Sequence, residues 1–198
     1  TPRFTRHFNI IGYVNLSDGS MATIFETILG SFLANFEGSC PQLCQPIVSA
    51  SIKLYKTIMA ELLPTPSKMH YTFNLRDLGK VFQGILMGDS KRITEPVQLS
   101  RLWLHECKRV FSDRLTNPDD HAWFRRQCEQ LLEEKFKMEW AAVSPNERLI
   151  YTDFMDPRAD PKIYEETPDV GKLKTVVEEY LGDHNAESRS PMPLVMFS

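Results

Sequence analysis

Apolar positions recur at spacings of three and four along most of this chain, and that rhythm predicts a run of amphipathic helices. Residues 20–36 carry Met21, Ile24, Phe25, Ile28, Phe32 and Phe36 as one stripe, with Ser20 or Asp18 to cap the start and Gly38 beyond the end. Residues 42–63 place Ile47, Leu54, Ile58, Leu62 and Leu63 on a second stripe; Pro46 suits its first turn, and Pro64 and Pro66 stop it. A third helix over 74–87 has Asn74 as its N-cap and Leu75, Leu78, Val81, Phe82, Ile85 and Leu86 as its buried side. A fourth over 95–113 has Pro96 in its first turn and lines Val97, Leu99, Leu102, Trp103, Val110 and Phe111 along one face. The turn Asn117-Pro118-Asp119-Asp120 caps a fifth helix over 121–136, whose Arg125, Arg126, Glu129, Glu133 and Glu134 form a solvated face.

Two segments break the rhythm. Residues 8–16, FNIIGYVNL, are short, rich in Ile, Val, Tyr and Phe, and ended by Ser17-Asp18-Gly19; they predict a buried strand. Residues 149–154, LIYTDF, predict a second short strand. A proline-containing loop over 156–168, a last amphipathic helix over 170–181, a polar stretch over 183–193 and an apolar LVMF at 194–197 complete the chain. The fold class expected is therefore mainly α, a helical bundle with a short residual β-strand stub. One strand makes no sheet. The partners of 8–16 are expected outside this sequence, or in a weak pairing with 149–154.

Composition narrows the function more by exclusion than by suggestion. With 198 residues, 42% hydrophobic, 25% charged and a net charge of −3, the chain has enough apolar content for one substantial core or two small ones. It lacks the basic excess that a nucleic-acid or anionic-membrane partner favours, so neither partner is expected. No apolar run approaches the roughly 20 residues of a membrane span, and no signal peptide is visible. Cys40, Cys44, Cys107 and Cys128 fit no zinc spacing and read as free thiols of a reducing compartment. No metal site is expected. The chain starts at Thr1 rather than Met and stops in apolar sequence, so both ends are expected to be cut from something longer.

The candidate chemistry is cationic. Arg3 and Arg6 directly precede the 8–16 strand, and a planar guanidinium there can serve a phosphate of a neighbouring unit or simply sit on the surface. Arg76 lies in the first turn of its helix, where the electropositive helix end favours an anion; the alternative is a structural partner for Asp77 or Glu61. His105-Glu106 lacks the second histidine of a zinc-protease motif, which leaves it a structural contact near Trp103. His70 and His121 read as capping or surface residues. No G-x-S-x-G turn and no G-x-x-x-x-G-K-[ST] loop occurs anywhere in the sequence.

Read together, PRFTRHFNIIGY, LLPTPSKMHYTFNLRDLGKVFQGIL and RLWLHECKRVFSDRL resemble the third AAA+ module of dynein heavy chains. The spelling HYTFNLRDL followed by LWLHECKRVFSDRL is similar to the axonemal, inner-arm branch, and PMPLVMF resembles the lead into the fourth module. The resemblance implies three parts: 1–17 as the end of the large α/β subdomain with its last strand, 18–140 as the helical lid, and 141–198 as a connector to the next module. It implies that Arg76 is a sensor-2 arginine touching the nucleotide of its own module. It implies that Arg6, with Arg3 as second choice, is an arginine finger acting on the adjacent module. The parent would be an ATP-driven, microtubule-based motor of the cytoplasm and cytoskeleton, in the axoneme of cilia. Its cofactor would be ATP or ADP with Mg²⁺. Its partners would be the neighbouring AAA+ modules, and through other regions microtubules and dynein intermediate and light chains. The phosphate loop, the Mg²⁺-holding acids and the polar sensor are expected upstream of Thr1. This portion alone should then neither bind nucleotide tightly nor hydrolyse it. The competing reading is a helical scaffold or interaction module with no nucleotide role.

Overall fold

A computed structural model describes residues 1–145 and 148–193; the apolar LVMF stretch lies outside the described residues. The helical expectation holds. After a four-residue helix α1 (Pro2–Thr5), the bundle is built from α2 (Asp18–Leu33), α3 (Cys44–Glu61, entered through a 3-10 turn at Cys40–Leu43), α4 (Leu75–Ile85), α5 (Pro96–Phe111), α6 (Pro118–Leu131) and the short α7 (Trp140–Val143). Strands β1 (Tyr151–Thr152) and β2 (Glu165–Glu166) pair antiparallel, Tyr151 opposite Glu166, and α8 (Val170–Glu187) follows.

Local chemistry sets the boundaries. Ser17, not Ser20 or Asp18, caps α2: its Oγ accepts from the Ser20 N–H at 3.1 Å. Between α2 and α3 the chain reverses at Gly38, whose φ of +70° only glycine adopts without strain. Asn74 caps α4 by accepting from the Arg76 N–H at 2.9 Å, and its own N–H donates to Asp77 Oδ2 at 3.1 Å. The last turn of α6 widens into a π-turn at Leu132–Phe136 and closes on Lys137 in the left-handed region.

Helix α5 sits at the centre. Leu99, Leu102, Trp103, Leu104, Cys107 and Phe111 are buried around most of its circumference. Trp103 is fully enclosed; its Nε1–H donates to Ser51 Oγ of α3 at 2.9 Å, and its ring lies 4.8 Å from that of Phe136. Among the other helices the buried stripes are close to those expected, with two shifts. Helix α2 buries Met21, Phe25, Leu29 and Leu33 and leaves Ile24 and Ile28 in solvent, while Leu63 and Leu75 are exposed rather than packed.

The strand expected over residues 8–16 is not formed. These residues carry no ladder, and Ile10, Ile11, Tyr13 and Val14 are exposed. A strand is stabilised only by neighbours that take up its N–H and C=O groups. The other strand segment, 149–154, spends its pairing on Glu165–Glu166 instead. Among the described residues the β element of this fold is thus the 151–152/165–166 pair.

Candidate functional site

Arg76 stands at the N-terminal end of α4, exposed, with no described residue bonded to its guanidinium. Both structural partners considered for it are engaged elsewhere. Glu61 Oε2 accepts from Trp123 Nε1–H at 2.7 Å. Asp77, almost fully buried, is held by Arg114 (Nη2 to Oδ1, 2.7 Å; Nη1 to Oδ2, 3.3 Å), by the Asn74 N–H and by Lys80 at 3.4 Å. Burial pushes the Asp77 carboxyl up, but the Arg114 hydrogen bonds and the Asn74 N–H more than offset this and hold it below the usual carboxylate range.

Arg114 fixes the whole approach to α4. Its guanidinium lies 5.2 Å from the Phe73 ring centre and also donates to the Thr72 carbonyl at 3.4 Å. Upstream, Lys68 Nζ and Tyr71 Oη both reach Asp120 Oδ2 at the start of α6, at 2.5 and 2.8 Å. His70 donates to the Arg114 carbonyl at 3.0 Å, and His121 bridges Ser112 Oγ and the Leu115 carbonyl. Both histidines are therefore structural, as their positions suggested. The segment that presents Arg76 is pinned on every side, while Arg76 itself is left open.

Arg3 and Arg6 lie apart from that end. Arg3 is in α1 and Arg6 is its C-cap; together with Phe4 and His7 they line an open hollow, and Arg6 Nε–H donates to His7 Nε2 at 2.9 Å. The premise that Arg6 directly precedes a strand fails here, because residues 8–16 form none. Nothing in the described structure brings Arg3 or Arg6 to Arg76.

A second polar cluster gathers around His105 and Glu106, the pair expected from the sequence to make a structural contact; its partner Tyr164 was not expected. Glu106, with no solvent exposure, accepts from Arg109 (Nε 2.9 Å, Nη2 2.6 Å) and from Tyr164 Oη–H at 2.6 Å. His105 Nδ1 lies 2.9 Å from the Leu149 carbonyl, which can only accept, so Nδ1 carries the proton; Nε2 is 3.1 Å from Tyr164 Oη. Burial pulls His105 below its ordinary range against the opposing Leu149 carbonyl and Glu106. It pushes the Tyr164 phenol well up, helped by the Glu106 hydrogen bond. The signal in the sequence was the run LWLHEC: with apolar residues on every side of a helix, any charge inside the run is buried too.

Among the described residues, the arrangement leaves the Arg76 cation open on an ordered helix end. No group of three or more His, Cys, Asp or Glu among the described residues is placed to hold a metal ion, and no described helix is long and apolar enough to cross a membrane. The residues present fit a single contact to an anion; they do not make up a complete triphosphate site.

A family model described as the AAA+ lid domain matches residues 47–139, from α3 through α6. The full length of the chain aligns with a human protein named dynein axonemal heavy chain 1 at 42% identity, and with human dynein axonemal heavy chains 6 and 2 at 39% and 37%. The chain belongs to the axonemal dynein heavy chain family. It spans only about 5% of the length of these relatives, so it corresponds to one portion of such a heavy chain, and the matched region is an AAA+ lid. The axonemal location expected from the sequence is the one these names carry.

Proposed function

We propose that this lid couples the nucleotide state of an AAA+ module, the third of the dynein ring, to movement of that ring in ATP-driven, microtubule-based ciliary motility. In this reading residues 1–17 end the large subdomain, 18–140 are the lid, and 141–198 lead to the next module. Arg76 is the contact to nucleotide. Arg6 or Arg3 reaches toward the adjacent module once residues 8–16 are paired by the rest of the large subdomain. The observation that carries the reading is the state of Arg76: an exposed, unpartnered guanidinium on a helix end that Asn74, Asp77 and Arg114 hold rigid. A scaffold without a nucleotide role would have no need to leave this cation open while pinning everything around it.

When bound, ATP or ADP with Mg²⁺ supplies the phosphate charge to which the lid responds. This chain's part is to place a positive charge there and to turn as a body. Neighbouring modules of the same heavy chain are its direct partners; microtubules and the intermediate and light chains meet other regions of the motor. The test is Arg76→Ala in the full heavy chain. Nucleotide affinity at this module should fall about tenfold or more, the loss of one charge-assisted contact, with the lid's thermal stability unchanged. Unchanged affinity would sink the assignment, as would ATP turnover by this chain alone that the same substitution abolishes.

A further inference from the structure

The segment after the bundle has little regular structure of its own, since the strands among its described residues are two residues long, yet Leu149, Tyr151, Thr152 and Thr167 are buried. What holds it is α5. Arg101 forms a bidentate pair with Glu166. One turn later His105 takes the Leu149 carbonyl and meets Tyr164, and Glu106 takes the Tyr164 hydroxyl. Positions 101 and 105 lie on one face of the helix. Gly88, just past α4, adds a backbone bridge to Tyr164, and Thr152 and Thr167 join their hydroxyls at 2.7 Å.

Glu106 gives this docking an all-or-none character. A carboxylate enclosed by protein depends on its hydrogen-bond donors, and one of the three Glu106 has here comes from the docked segment. It cannot retreat toward α4, because even the missing Cβ of Gly84 would lie 1.9 Å from its Oε2. If Tyr164 leaves, Glu106 loses one of its three donors, and His105 loses its neighbour Tyr164 as well.

We propose that Arg101, His105 and Glu106 form a two-point buckle that makes residues 149–167 open and close as one unit on α5. The path by which the chain leaves the lid toward α8 is then set by α5 rather than by a loose linker. That the buckled segment carries lid movement onward rests on the coupling role above; the buckle itself does not, and the test reads the buckle alone.

Peptide-resolved hydrogen exchange on the chain provides that test. Tyr164→Phe removes one hydroxyl and keeps the ring. Exchange should quicken about tenfold across 150–167, at the loss of a hydrogen bond to a charged group, while the amides of α3 and α4 stay as protected as before. Arg101→Gln, at the other point, should quicken the same stretch, including the Thr167 N–H that donates to the Ile150 carbonyl at 2.8 Å. Unchanged exchange in Tyr164→Phe would overturn the proposal. So would quickening confined in each variant to its own neighbours, or spread evenly over every helix.

Discussion

Residues 8–16 and residues 102–107 are both apolar-rich runs, and they meet opposite fates. FNIIGYVNL lies open, with Tyr13 at 91% and Val14 at 94% exposure; LWLHEC is enclosed, with Trp103 at 0% and even Glu106 without solvent. Hydrophobic content is nearly the same, so it does not decide burial by itself. The difference lies in where each run finds its partners. A helix satisfies its own backbone and needs only side-chain neighbours, which α3, α4 and α7 bring to α5. A strand needs the backbone of another strand as well, and the described residues give 8–16 none.

Substitutions in the two runs should break this comparison or sharpen it. Trp103→Ala should have the largest effect, destabilising the chain by about 3–5 kcal/mol in urea unfolding, because it empties a site enclosed on all sides and leaves Ser51 Oγ without its donor. A loss of under 1 kcal/mol would mean that the centre of the bundle is not where α5 puts it.

Asp77→Asn comes next, at about 2 kcal/mol near neutral pH, since a charged hydrogen-bond partner of Arg114 is lost. The same residue has a pH signature. Its folded-state pKa is depressed, so its contribution is fully present above the ordinary aspartate value of about 3.9 and is lost as pH falls through the lower folded value. Stability measured from pH 6 downward should therefore fall less steeply near and below pH 4 in Asp77→Asn than in the parent chain. Equal slopes would show that Asp77 is not the group held by Arg114.

The smallest effect belongs to the open run. Tyr13→Ser should change the stability of this chain by no more than about 0.5 kcal/mol, because Tyr13 touches almost nothing. A loss comparable to that of Trp103→Ala would erase the contrast between the runs.

Much of the bundle was legible beforehand because helical order is local. The 3.6-residue period, Asn74 as a cap and the prolines at 46, 64, 66 and 96 mark α3, α4 and α5 to within a few residues. The errors lie where a local pattern permits more than one outcome. Ile24 and Ile28 fit a helical stripe as well as Leu29 and Leu33 do, but only the latter face α3. Of the candidate site, Arg76 at a helix start was legible from the cap and the FNLRD spelling. Its freedom from Asp77 and Glu61 was not, because Arg114 and Trp123, which occupy those carboxylates, are 37 and 62 residues away in sequence.

By itself the sequence determined the helical class, most helix ends, the family and the cation at the start of α4. Each of these rests on periodicity, caps or motif spelling within a few neighbouring positions. Tertiary structure alone decided that Glu106 is buried and needs Tyr164, that the 149–154 segment pairs with 165–166 rather than with 8–16, and that an apolar run can stay in solvent. Those outcomes depend on which distant groups supply the missing donors, acceptors and apolar neighbours, and no local pattern records that.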